Sequence, residues 1–197
     1  MRQLIVLSSL SALAALPLAV QAQAVVPPVE QQIAAAVLPL PVDMRAGATV
    51  MGYREAGKLV VLRQGTGEMN CLALYVVREE FHVACYHNGL EPFMARGREL
   101  REQGVKGPAV DSARFREYRS GVLKMPTQGA LYTITAKKEN YDAATNKVTD
   151  GDALAVVYIP GATPASTGIS AKPSAGPWLM YPGTPKAHIM MQGAMTP

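Results

Sequence analysis

Five cysteine and histidine side chains in this chain have the chemistry to bind a metal or to cross-link, and four of them are crowded together. Cys71, His82, Cys85 and His87 fall within seventeen residues; His188, the third histidine, lies near the C-terminus. Three neutral imidazoles are a ligand set for catalytic zinc. Two thiols in an oxidising compartment form a disulfide. The backbone around them decides between these chemistries. Residues 69–77 and 81–87 read as two strands of an antiparallel hairpin. Setting Cys71 opposite Cys85 also sets Ala73 opposite Val83 and Tyr75 opposite Phe81, and it leaves the charged Arg78 and Glu79 at the turn. Directly opposed residues lie at a separation that a disulfide spans. Cys71–Cys85 is therefore expected to be a structural bridge, and without a C-x-x-C motif it is not a redox pair.

The same strand works against the metal. His82 and His87 are five residues apart, and an odd separation places them on opposite faces. A zinc site of His82, His87 and His188 needs a bulge or an early strand end. Neither H-E-x-x-H nor H-x-H occurs. A second metal reading uses His188 with Met190 and Met191, since imidazole and thioether ligands suit copper(I). Methionine also fills irregular cores, and a short core strand accounts for the same residues. Zinc or copper are the only cofactors these residues suggest, and the favoured reading has none.

A nucleophile reading places Ser166 or Ser170, in the loop 160–177, with His188 and Asp152. The strained G-x-S-x-G turn is missing, and turn chemistry explains the hydroxyls. Glu79 and Glu80 fit a solvated hairpin tip. Asn146, Asp150 and Asp152 lack the twelve-residue calcium-loop spacing. Arg98 and Arg101 share a helix face with Glu102 close by, an ordinary solvated surface. Gly65-Thr66-Gly67 precedes no helix and no GK[ST], so it is not a phosphate cradle.

The elements that must position these residues follow from patterning. Arg2, an apolar run over 4–20 and Ala22-Gln23-Ala24 read as a signal peptide over residues 1–24. Removing 24 of 197 residues leaves 173, enough for one core. Residues 25–47 read as a linker with a short helix at 31–38, closed by Pro39 and Pro41. Residues 48–197 read as a single globular domain. Strands are expected at 48–53, 58–64, 130–136, 153–159, 178–181 and 187–191, besides the hairpin. Helices are expected at 91–103, with Pro92 in the first turn and Gly104 after the last, and at 110–118. The 160–177 loop is long enough to be functional or mobile.

The expected fold class is α+β: a single domain with an antiparallel meander sheet and two or three short helices packed mainly on one face. No stretch beyond the signal is apolar enough for a membrane span. The formal charge of +4, which loses one unit with Arg2, is small and dispersed, which argues against nucleic acid. Function is expected to be that of an exported protein, periplasmic or extracellular: a non-enzymatic binding or structural domain whose partner is a small molecule or a protein. The alternatives are a metal-dependent hydrolase or a zinc- or copper-binding periplasmic protein built on the histidines, and a serine-type hydrolase built on the 160–177 loop.

Overall fold

A computed structural model describes residues 25–55 and 57–192. The expected signal peptide lies outside the described residues. The chain begins with α1 (Val29–Ala36), whose alanines favour helix, and the single turn α2 (Val42–Arg45). Pro39 and Pro41 separate the two, because neither can continue a helix. Strands β1 (Thr49–Tyr53), β2 (Leu59–Arg63), β3 (Met69–Leu72) and β4 (Phe81–His87) follow. Helices α3 (Glu91–Glu102) and α4 (Pro108–Arg119) each start on a proline in the first turn. Then come β5 (Gly129–Ala136), a ribbon of β6 (Tyr141–Asp142) and β7 (Lys147–Val148), β8 (Asp152–Tyr158), the turn α5 (Pro164–Thr167), β9 (Trp178–Met180) and β10 (His188–Gln192).

The fold is mixed α and β, with few helices and one large, mostly antiparallel sheet. Its eight strands run β2-β1-β3-β4-β5-β8-β10-β9. It departs from the expected meander at β3, which lies parallel to β1 rather than beside β2. The chain must pass back across β1 to get there. It does so in close contact: Gly67 N donates to Gly47 O at 2.8 Å, and a Cβ on Gly65 would fall 2.2 Å from that same oxygen. Only glycine allows such an approach.

The register of β3 on β4 places Cys71 opposite Cys85, with sulfurs 2.09 Å apart, a disulfide. Pairing stops at Leu72 and Ala84. Ala73 N instead donates to Met51 O at 3.0 Å, and the chain coils into a 3-10 turn at Leu74–Val76. The expected ladder pairs Ala73/Val83 and Tyr75/Phe81 therefore do not form, because the chain turns out of line with β4 at this coil. The Tyr75 and Phe81 rings still meet, centroids 5.3 Å apart.

Helices cover both faces of the sheet rather than mainly one. Side chains alternate along β4, and both its faces are buried. Ala35 and Ala36 of α1 pack with Cys71, Val83 and Cys85 on one face. The Ala36 carbonyl sits 3.2 Å from Cys85 Sγ, a packing contact, since a bridged sulfur has no hydrogen to donate. On the other face Tyr86, Leu131 and Val156 pack with Leu90 and Met94 of the α3 side. Gly97 lets α3 and α4 cross closely: a Cβ there would fall 2.9 Å from Arg114 Nη1. Among the described residues, no helix is long and apolar enough to cross a membrane.

Candidate ligand cavity and the histidines

Where α1 ends, three elements meet without filling the space between them. The turn after α1 exposes carbonyls that the helix cannot satisfy. Arg45 of α2 takes two of them, Nε donating to Leu40 O at 2.8 Å and Nη2 to Leu38 O at 3.0 Å. This fixes the 38–45 segment as a rigid wall. It projects Val42 outward, 73 % exposed, a large apolar side chain with little protein cover.

The β6–β7 ribbon forms the second wall. Asp142 closes its turn, accepting from Ala144 N and Thr145 Oγ1, and Asn146 takes a left-handed φ of 53°. The Asn146 amide then ties the ribbon to α1, donating to Ala34 O at 3.1 Å while its oxygen accepts from Tyr141 OH. Gly151 brings the ribbon down on the sheet, since a Cβ there would meet Val148 Cγ1 at 2.9 Å. The floor is the half-buried Ile134 of β5 and Ala153 of β8, which pair across the sheet.

The space so framed is a half-open cavity of about 650 Å³. Leu38, Leu40, Val42, Ile134, Val148 and Ala153 give it apolar walls, with Arg45, Asn146, Lys147 and Thr149 as its polar groups. A second, shallower depression of about 510 Å³ is lined by polar residues including Thr49, Gln64, Glu68, Asn70, Asn88 and Glu91. Its groups largely satisfy one another. Thr49 Oγ1 accepts from Gln64 and from Gly65 N, Asn88 donates to Glu68, and the Glu91 carboxylate is taken up by Tyr86 and Arg98. Ligand cavities are enclosed, mainly apolar and carry few polar groups, so the first is the stronger candidate.

The anchor beneath α1 is Gln32, fully buried. Its Nε2 donates to Tyr53 O at 2.7 Å and its Oε1 accepts from Tyr53 N at 2.8 Å, so the side-chain amide imitates a neighbouring strand. Gly52 provides the room, because a Cβ there would fall 2.5 Å from Oε1.

The three histidines are dispersed. His82 pairs with Thr135, and Thr135 with Asp152, while His188 pairs with Tyr158. Asp152 and Tyr158 are six residues apart along β8, which separates His82 from His188 by roughly 20 Å. His87 lies on the opposite face of β4. Each ring has a local partner: His82 Nδ1 with Thr135 Oγ1 at 2.8 Å, His87 Nδ1 accepting from Gly89 N, and His188 Nδ1 donating to Lys186 O at 2.7 Å. Burial pushes the His82 imidazole below its ordinary range, aided by Arg78 and opposed by Glu80. Burial likewise lowers His188, and the Lys186 charge adds to this against the hydrogen bond to the carbonyl.

Met190 shares the face of His188 and packs with the core around Tyr86, whereas Met191 points to the other face. Among the described residues, no group of three or more His, Cys, Asp or Glu side chains converges to hold a metal. Ser166 closes a capping box with Thr163, and Ser170 Oγ accepts from Lys172 N; among the described residues neither hydroxyl bonds a histidine.

Around His188 the structure places a polar cluster that patterning missed. The Tyr158 and Tyr181 rings flank it at 4.9 and 5.6 Å, and Lys186 Nζ bonds Asp111 Oδ2 at 3.0 Å. Asp111 in turn pairs with the buried Arg114, stacked on Phe93. This ties the β9–β10 corner to α4. Of the cavity lining, the Pro39/Pro41 interruption followed by Arg45 was visible in sequence; nothing there pointed to residues 146–153 as the opposing wall.

The geometry defines a class of site, an apolar chamber where helix ends, sheet and ribbon meet, without a defined reaction. No family model, no curated protein and no solved structure matches this chain.

Proposed function

We propose that this chain is an exported, non-enzymatic binding domain that holds a small, largely apolar molecule in the chamber between the α1–α2 turn, the β6–β7 ribbon and the β5–β8 floor. The observation that carries this reading is the chamber itself: about 650 Å³ of mainly apolar-lined space, within the range of roughly 300–1,000 Å³ typical of small-molecule sites. Leaving such walls wet forgoes burial that packing normally captures. Dispersed histidines and locally bonded serine hydroxyls support binding over turnover. The Cys71–Cys85 bridge is compatible with export.

The test is titration with the neutral, environment-sensitive dye Nile red. Saturable binding at one site per chain is expected. Ala153→Phe, which puts a ring into the chamber from the floor, should weaken binding at least tenfold at unchanged far-UV circular dichroism. Non-saturable partitioning, or equal binding by the variant, refutes the reading.

A further inference from the structure

The lining charges select among apolar ligands. The chamber's lining includes two cations, Arg45 and Lys147, and no carboxylate. Arg45 is held by two carbonyls through Nε and Nη2, and among the described residues neither cation joins a salt bridge. Lys147 is exposed on the ribbon. The carboxylate beside it, Asp142, is committed to Ala144 N and Thr145 Oγ1. Both cations therefore line the chamber outside any salt bridge, although the Asp142 carboxylate across the ribbon shares the field of Lys147. A guanidinium oriented by two carbonyls loses little freedom when Nη1 takes an oxygen.

We propose that the ligand is a free amphiphilic anion, its hydrocarbon against Leu38, Leu40, Ile134 and Val148 and its single carboxylate or phosphate head at Arg45 and Lys147. This rests on the binding reading above. Apolar walls and cations outside any salt bridge share one half-open space, and only a molecule with both features satisfies both. A monomeric amphiphile is favoured over a bilayer because Leu38, Leu40, Ile134, Val148 and Ala153 are buried or half-buried between the walls, Val42 being the one that projects.

Nile red displacement by decanoate, decanol and decyltrimethylammonium, all below micelle formation, tests this with the full mature chain. Decanoate is expected to bind about tenfold more tightly than decanol at low salt, as two partly exposed charges imply, and the cation more weakly than either. The decanoate-to-decanol ratio should fall with salt. In Lys147→Glu it should fall to about one or below, whereas Lys172→Glu, in the 160–177 loop, keeps the wild-type ratio. Equal binding of decanoate and decanol overturns the charge inference and leaves the chamber reading standing. Failure of all three ligands and of Nile red overturns both. Sedimentation with anionic-lipid vesicles without displacement by decanoate also refutes a free amphiphile and points to a lipid surface.

Discussion

Gln32→Leu should be among the most damaging single substitutions outside the hydrophobic core, and its cost can be worked from two hydrogen bonds. Among the described residues the Gln32 amide is the side-chain partner of both Tyr53 N and Tyr53 O, at 2.8 and 2.7 Å, in a fully buried position. Leucine keeps most of the volume and removes both partners. A buried polar group left unsatisfied costs about 1–3 kcal/mol, so the pair costs about 2–6 kcal/mol. The third contact, to Pro27 O at 2.8 Å, is only partly buried and adds little. Taking about 4 kcal/mol, the midpoint of thermal unfolding falls by roughly 8–16 °C for a chain of this size. Urea unfolding followed by circular dichroism measures the loss, and hydrogen exchange at the Tyr53 amide localises it. The consequence reaches the chamber, because α1 leads directly into its 38–45 wall. A loss under about 1 kcal/mol, or unchanged Tyr53 protection, would refute the view that this amide docks the helix.

Two further outcomes follow from the cross-link and the buried imidazoles. The Cys71–Cys85 bridge closes a loop with a sequence separation of 14, which in the chain-entropy account contributes about 3 kcal/mol. Cys71→Ala/Cys85→Ala should lower the unfolding midpoint by roughly 6–12 °C, and equal midpoints would contradict this. His82 and His188 are held below 6.5 by burial. Above pH 6.5 folded and unfolded chains both carry neutral rings, and the imidazoles add no pH dependence. Below it the unfolded chain takes up protons first, so stability declines as pH falls from 6.5 to the depressed folded values. Urea midpoints between pH 7.5 and 5.5 should fall, and imidazole NMR titrations should place both histidine midpoints below 6.5. A midpoint for His188 at or above 6.5 would contradict its burial.

Local signals were enough for most elements. Prolines at 39, 41 and 92 and β-branched runs act through the residues beside them, so helix ends and strand positions at β1, β2, β5, β8, β9 and β10 were legible to within a few residues. The Cys71–Cys85 register was also legible, because alternation and a covalent length constraint together leave few pairings. Strand order was not. Whether β3 lies beside β2 or β1 depends on a close passage of Gly65 and Gly67 over residues 47–49, and nothing in the strands' own patterns records it. Gln32 read as one more residue of an alanine-rich helix; its role exists only because Tyr53 lies beside it. The chamber is the extreme case. Leu38–Arg45 lies about ninety residues before Ile134 and about a hundred before Lys147–Ala153. Periodicity says which face of an element is apolar, but only the packed structure decides whether another element covers that face or leaves room for a ligand.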